Sequence, residues 1–310
     1  MNKFGIAIHG GAGTILKSSM TAEKEAKYKS ALQAALELGY KCLEDGGSSV
    51  EAVRLAGMSL EDSPLFNAGK GSVFTATGTH EMDASIMEGK NREAGAVSAI
   101  SGVKNPIDAA YKVMMHSDHV FLTGEGAEEF CKLNDCTFET ESYFHDDFRY
   151  QQWKDLQGTD KFQLDHAKVV DEKFGTIGAV ALDIHGDIAA VTSTGGMTNK
   201  KFGRVGDSPI IGSGVYANNL TCAVSCTGSG EYFIRSVTAY DVSCLMEHKG
   251  LSLDEASREV VHKRLLEING DGGLIAIDKK GNISMPFNTE GMYRAMKKSS
   301  GEMKVSIYKE

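Results

Sequence analysis

The 310-residue chain has no surplus of basic residues: 33 Lys and Arg stand against 42 Asp and Glu, a formal net charge of −9. The basic residues are also scattered, so the patch that a nucleic-acid binder needs is missing. Six cysteines (Cys42, Cys131, Cys136, Cys222, Cys226 and Cys244) form no C-x-x-C pair and no His/Cys cluster at zinc-ligand spacing. Cys222 and Cys226 fall in a strand-like run, where free buried thiols are the simpler reading. No apolar stretch approaches the roughly 20 residues that cross a bilayer, and the apolar run before His9 is too short for a signal-peptide core. No repeat of the kind that builds solenoids or propellers is present, and the two halves do not look duplicated. These absences lead to the expectation of a soluble, cytoplasmic, reduced protein that engages neither nucleic acid nor membrane. The length admits two ordinary domains or one large α/β unit, and a hydrophobic content of 41% suffices for a sizeable core.

What is present alternates between the two periodicities. Residues 4–8 read as a short buried strand running into the glycine-rich His9–Thr14, which reads as a tight turn. That run matches no phosphate-loop spacing. Apolar residues at helical spacing (Tyr28, Ala31, Leu32, Ala35, Leu36, Leu43) predict a helix over 22–44, stopped by Gly46 and Gly47. Ser48-Ser49-Val50-Glu51 has the form of a capping box for a helix to about residue 62. An irregular loop with Asn67 at its middle comes next. Strands are predicted at 72–76, 80–87 and 94–101, then helices from Asn105-Pro106 and over 123–134. Residues 136–175 mix acids, aromatics and amides with weak periodicity, apart from a local helix near 147–156. They read as a linker or a functional segment. Beyond it lie a hairpin at 177–194 about His185-Gly186 and a strand over 220–227. A helix to about 248 and a capping-boxed helix from Ser252 to about 267 come after these. The chain closes with a hairpin over 273–287 and an edge strand at 304–308.

The most informative stretch is Gly175-Thr176-Ile177-Gly178-Ala179-Val180-Ala181-Leu182-Asp183, where a Thr opens an apolar run directly behind the linker. A Thr hydroxyl is a weak nucleophile without a base beside it. Making the Thr a chain terminus supplies one, because its own α-amine titrates near roughly 7.7–8.0 and can take the proton. The plain alternative is that a β-branched residue simply starts a strand.

Seven short motifs, in order along the chain, resemble the isoaspartyl peptidase/L-asparaginase family, the plant-type asparaginases among the N-terminal nucleophile hydrolases. They are His9–Gly13, Phe66–Gly69, Glu81–Met87, Gly175–Asp183, Thr192–Gly196, Gly203–Pro209 and Thr227–Glu231. Ser225–Gly228 and Pro286–Tyr293 look closest to the bacterial members. The resemblance implies a four-layer αββα sandwich. It also implies a single unit that cleaves itself at Gly175–Thr176 into an α subunit (1–175) and a β subunit (176–310), assembling as (αβ)₂. By position, Thr176 would be the nucleophile. Thr194 would assist cleavage, Asn67 would contact the nucleophile region, and Thr227 with the Gly228 N–H would form the oxyanion hole. Arg204 would hold a substrate carboxylate as a planar fork, and Asp207 with the Gly230 carbonyl and Thr227 would hold the aspartyl head. A mutual Arg204–Asp207 salt bridge is the competing expectation. No cofactor is required for the chemistry. The family implies a structural Na⁺ on backbone carbonyls of Leu60, Glu61, Ser63, Phe66, Ala68 and Lys70, which no side chain signals. Phe174 stands where many bacterial relatives carry His, which is expected to alter the rate of processing.

The activity implied is hydrolysis of β-aspartyl dipeptides and L-asparagine. The alternatives are a glycosylasparaginase-like amidase, a member of the fold that never matures, and a non-catalytic nucleotide binder using His9–Thr14. A thermal-shift series separates the last from the first: L-aspartate is expected to raise the melting temperature of the processed protein, and nucleotides to leave it unchanged.

Overall fold

The computed structural model describes residues 3–159 and 175–309; the expectations for Phe174 and for residues 160–174 of the linker lie outside these residues. In chain order the elements begin with β1 (Gly5–Gly13), α1 (Ala22–Glu44), α2 (Ser49–Glu61), β2 (Met82–Glu88), β3 (Ala94–Ile100) and α3 (Pro106–His116). Then come β4 (Phe121–Thr123), α4 (Gly124–Leu133), α5 (Glu141–Phe144), α6 (Asp147–Leu156), β5 (Ile177–Leu182) and β6 (Ile188–Thr194). The last part holds β7 (Val215–Ala217), β8 (Cys222–Gly228), α7 (Gly230–Ser236), α8 (Thr238–Lys249), α9 (Leu253–Glu259) and α10 (Leu265–Glu267). It ends with β9 (Gly272–Asp278), β10 (Ile283–Ser284), β11 (Gly291–Lys298) and β12 (Met303–Tyr308).

The strands form two sheets. The larger has the order β12-β11-β1-β5-β6-β2-β3-β4, the smaller β10-β9-β8-β7. Alternation along the central strands sorts their side chains to two faces. Ile6 and Ile8 of β1, with Ile177, Ala179 and Ala181 of β5, join a core shared with α1, α2 and α3. Ala7, Val180 and Leu182 point the other way and pack with Val224, Leu274 and Ile275 of the smaller sheet, in a core that extends to Val242 of α8 and Ala256 of α9. Both faces of the central strands are therefore covered, so these strands read as continuous apolar runs.

Apart from α5, which the sequence does not signal, the helices begin close to where the sequence places them, with two changes of capping partner. Thr21 caps α1 by accepting from Lys24 N, and Ser252 forms a complete capping box with Glu255. At α2 only half the box forms. Ser48 accepts from Glu51 N, but the Glu51 carboxylate turns to Arg54. Asn105 does not cap α3; its amide donates to Asp62, and the buried Glu61 carboxylate takes the Ile107 N–H instead. The helix expected to run unbroken to 248 is divided at Val237, which sits at φ +50 between α7 and α8.

Three strands are not legible in the sequence. β4 and β7 have three residues each, too few for periodicity to register. β11 pairs with β1 and β12. The strand expected at 72–76 does not form and leaves only an isolated bridge between Thr75 and Lys200. The glycine run His9–Gly13 is also not a turn: it continues β1, with a register shift between His9 and Ala12. Gly11 takes φ +108 there, and a Cβ on Gly10 would run into the Phe66 ring. A bulge re-aims the residues beyond it, and the Ala12 N–H crosses to the smaller sheet to reach Thr227 Oγ1 at 3.1 Å.

Phe66 belongs to a buried aromatic trio. Tyr28 of α1 stacks on Tyr293 of β11 at 4.3 Å between centroids, and both meet Phe66 edge-on. This trio ties the first helix, a late strand and the Asn67 loop together. Truncating Tyr28→Ala is expected to destabilise the protein by about 3–5 kcal/mol through lost burial and a residual cavity, measured as a lower urea midpoint at unchanged slope.

Candidate active site

Thr176 lies one residue before β5, a strand in the middle of the larger sheet, and is 6% exposed. The register that buries Ile177 against the helices places Gly178 opposite both His9 of β1 and Thr192 of β6. His9 Nε2 lies 3.0 Å from Ser225 Oγ, which lies 2.6 Å from Thr192 Oγ1, and that hydroxyl donates to Gly214 O at 3.0 Å. A line of buried polar groups thus crosses between the sheets directly behind Thr176. Burial pushes the His9 imidazole down to about 3, against a smaller opposing effect of the Thr176 backbone, so it is neutral at working pH.

Thr194, at the end of β6, is the hub of the front side. Its hydroxyl donates to the Gly175 carbonyl at 2.9 Å while accepting from Thr176 Oγ1 at 3.4 Å and from Gly196 N at 3.0 Å. One proton given and two contacts received are within the capacity of a hydroxyl. The arrangement polarises the carbonyl of the Gly175–Thr176 peptide and sets the Thr176 hydroxyl beside it. Asn67 serves this hub indirectly: its amide donates to Gly196 O at 2.7 Å, its Oδ1 accepts from Val73 N at 3.1 Å, and its carbonyl accepts from Gly195 N at 3.0 Å. It fixes the turn after Thr194, and no bond from its side chain to Thr176 is described.

Asp207 and Arg204 face the same cavity but do not pair with each other. Arg204 makes a two-pronged bond with Glu231, Nε to Oε1 at 2.9 Å and Nη2 to Oε2 at 3.0 Å. The mutual Arg204–Asp207 bridge, the competing expectation from the sequence, is not formed among the described residues. Asp207 is 4% exposed; burial raises its carboxyl to about 7, with Arg204 opposing, and its Oδ2 has no hydrogen-bond partner among the described residues. Gly230 packs into the corner between them. A Cβ there would stand 2.9 Å from Asp207 Oδ1 and 3.1 Å from Arg204 Nη2.

The cavity is lined by Asn67, Thr176, Thr194, Arg204, Asp207 and Gly228 among others, and Gly175 also forms part of its wall. Its volume of about 40 Å³ is little more than a water's share of the liquid and well below the several hundred Å³ of a typical ligand pocket. Thr227 is fully buried and accepts from Ala12 N at Oγ1; it does not line the cavity, whereas Gly228 next to it does.

The carbonyl loop fits a hard cation in its donor chemistry. The Phe66 and Ala68 carbonyls accept one backbone bond each, from Ala68 and Gly71 N, and each keeps a second lone pair, whereas the Leu60 carbonyl receives both Asp62 and Ser63 N–H. Phe66 O and Pro64 O crowd the place where a Cβ on Gly71 would sit, and Glu61 O stands 2.6 Å from that of Gly69. Among the described residues no group of three His, Cys, Asp or Glu side chains could hold a metal ion, and all six cysteines are free.

Two members of the site are not marked in the sequence. Glu231 comes directly after Gly230 within one of the seven motifs, yet nothing in its spacing identifies it as Arg204's partner. His9 reads as part of a glycine turn, although a His amid small residues beside a strand is a signal for a buried imidazole.

The asparaginase family profile matches residues 2–307. The chain is 50% identical to the isoaspartyl peptidase of Escherichia coli K12 over an alignment of 313 residues, covering 100% of this chain and 98% of that protein. It is 40% identical to the probable isoaspartyl peptidase/L-asparaginase 2 of Arabidopsis thaliana, covering 99% and 100%. It is 41% identical to the plant-type L-asparaginase of Pyrococcus abyssi, covering 97% and 99%.

A Cβ at residue 178 would overlap Ser225 Oγ and come within 2.6 Å of His9 Nε2. Gly178→Ala is therefore expected to cost about 1–3 kcal/mol by overpacking in urea unfolding. Adding Ser225→Ala, which removes the oxygen it meets, is expected to restore part of that loss.

Proposed function

The chain belongs to the asparaginase family, and on that premise we propose that it is an isoaspartyl peptidase and L-asparaginase activated by its own cleavage at Gly175–Thr176. The observation that carries this reading is the Thr194 hydroxyl at 2.9 Å from the Gly175 carbonyl with Thr176 Oγ1 beside it. In the precursor, Thr176 Oγ adds to the Gly175 carbonyl carbon, and Thr194 stabilises the charge that builds on its oxygen. The C–N bond breaks, the Thr176 nitrogen takes a proton, and water hydrolyses the resulting ester. Gly175 then ends one chain with a carboxylate, and Thr176 begins the other with a free amine.

That amine is the base in turnover. It accepts the Thr176 hydroxyl proton as the oxygen attacks the side-chain amide of the substrate, and the leaving amine or ammonia departs with a proton. The Thr227 hydroxyl and Gly228 N–H stabilise the oxyanion, a pair of donors that lowers such barriers by several kcal/mol. Water then releases aspartate from the Thr176 ester. Arg204 swings from Glu231 to the substrate carboxylate, and Asp207 with the Gly230 carbonyl receives the ammonium. Departure of Gly175 from the cavity wall provides room for the aspartyl head. A Na⁺ on the Leu60, Glu61, Ser63, Phe66, Ala68 and Lys70 carbonyls would screen their mutual repulsion, leaving Asn67 to hold the Thr194 turn.

In keeping with the two covered sheets, the reading includes a four-layer αββα sandwich of the N-terminal nucleophile hydrolases, with residues 1–175 as α subunit, 176–310 as β subunit and (αβ)₂ assembly. The free thiols suit a cytoplasmic location. No helix among the described residues is long and apolar enough to cross a membrane.

Intact mass and N-terminal sequencing of incubated protein test the cleavage. A fragment beginning Thr-Ile-Gly-Ala is expected, together with aspartate released from β-aspartyl dipeptides and from asparagine; Thr176→Ala is expected to stay whole and release none. A chain that cleaves and yet releases no aspartate would overturn the substrate assignment. Since Asp207 holds its proton up to about 7, binding of L-aspartate is expected to weaken as pH falls below 7, approaching about tenfold per unit, in calorimetric titrations. Asp207→Asn is expected to bind weakly with that pH dependence removed.

A further inference from the structure

The loop that carries Arg204 is held in a backbone conformation it would not choose alone. Asn199 and Phe202 have φ of +65 and +60, and Gly203 comes next at +67. Left-handed non-glycine residues cost on the order of 1–3 kcal/mol each and persist only where the surroundings over-determine them. Phe202 does not help from its own side chain, which is fully exposed at 102%. The restraint comes from elsewhere. Asn199 N donates to Phe74 O at 2.9 Å, Ala76 N donates to Lys200 O at 2.9 Å, and the buried Lys200 ammonium donates to Glu81 O at 2.7 Å. The loop is thus bonded to residues 74–81, a segment with no regular ladder of its own.

That segment is in turn gripped by α6. Phe74 is the centre of an aromatic cluster: Trp153 lies over it at 5.7 Å and an interplanar angle of 24°, Tyr150 meets it edge-on at 5.7 Å, and His80 lies at 4.2 Å on another side. Trp153 also fills the space beside Gly78, where a Cβ would stand 2.8 Å from the indole. The end of α6 and the residues after it reach the loop directly, since Asn199 Nδ2 donates to Leu156 O at 3.4 Å and Lys201 Nζ to Thr159 O at 3.3 Å. Aromatic pairs of this kind contribute about 0.5–1.5 kcal/mol beyond their burial, comparable with the strain of one left-handed residue.

We propose that α6 is a clamp on the substrate site: Trp153, acting through Phe74, is a positioning residue that sets the Met197–Arg204 loop and with it the Arg204 guanidinium. The inference rests on Arg204 being the carboxylate anchor. On this view the stretch before the cleavage point is not all dispensable spacer. Its part up to Thr159 stays docked and belongs to the working site, while the nucleophile, the oxyanion donors and Thr194 stand on or next to β5, β6 and β8, against which α6 is not extensively packed. Loss of the clamp therefore weakens substrate capture and leaves the chemistry of the bound complex nearly unchanged.

The test uses the full chain after self-cleavage, with a β-aspartyl dipeptide and with L-asparagine as substrates. Trp153→Ala is expected to raise KM about fivefold to tenfold with kcat within about twofold. Trp153→Phe, which keeps a ring over Phe74, is expected to bring KM back to within about twofold of the parent. Should Trp153→Ala fail to fold, Lys201→Met removes the bond from Lys201 Nζ to Thr159 O and is expected to raise KM by a smaller factor at an unchanged melting temperature. An unaltered KM in Trp153→Ala, a loss confined to kcat, or no recovery with Phe would each overturn the clamp; so would an unaltered KM in Lys201→Met where Trp153→Ala cannot be made. Arg204→Lys serves as the control. If it leaves KM unchanged, the anchor assignment itself is wrong; if it raises KM while Trp153→Ala does not, only the clamp is.

Discussion

The bond from the Thr194 hydroxyl to the Gly175 carbonyl is the interaction on which the rest of the site depends. A hydroxyl can hold that carbonyl only if it is not free to rotate toward water, and Thr194 is fixed three times over: by its place at the end of β6, by Thr176 Oγ1, and by the Gly196 N–H. Gly196 is itself held by the Asn67 amide, and Phe66 of the Asn67 loop packs edge-on against the stacked Tyr28 and Tyr293. The first helix, a late strand and an irregular loop are thus recruited to hold one oxygen. Behind Thr176, His9, Ser225 and Thr192 bond to one another between apolar layers, where unpaired polar groups would be costly. This polar line lets the Thr176 hydroxyl sit at a buried position beside apolar layers.

The charged groups are arranged differently from the nucleophile. Arg204 and Asp207 lie three residues apart and share a cavity, yet the guanidinium is engaged by Glu231 and Asp207 is buried deeply enough to hold a proton near neutrality. Burial favours the uncharged carboxyl, and no hydrogen bond compensates its Oδ2 among the described residues. In the proposed reaction each group meets a partner of opposite charge, an ammonium for Asp207 and a carboxylate that competes with Glu231 for the fork. Asp83 and Lys200 obey the same rule further back. Burial raises Asp83 and lowers Lys200, and each partly offsets the other.

Much of the architecture is legible because period and punctuation agree. The helix at 22–44 carries its buried stripe from Tyr28 to Leu43 with a capping Thr before it, and the hairpin at 177–194 carries unbroken apolar runs on either side of a short turn. Where the reading fails, a distant residue has taken over a local role. Asn105 is placed to cap its own helix, but Glu61 arrives from another helix to take the Ile107 N–H. The glycines after His9 suggest a turn of the chain, but β11 continues the ladder through Ala12 and Gly13, and the glycines instead make room for Phe66 and aim Ala12 at Thr227.

The sequence by itself determined the helices, the main strands and the motifs containing Thr176, Thr194, Thr227, Arg204 and Asp207. Those features are encoded by residue type and short spacing, which local physics reads directly. The tertiary structure alone decided what each of these side chains touches. Thr194 reaches Gly175 across 19 positions, His9 reaches Ser225 across 216, and Arg204 turns to Glu231 across 27. Hydrogen bonds depend on fractions of an ångström and on direction, and neither survives projection onto a line of residues.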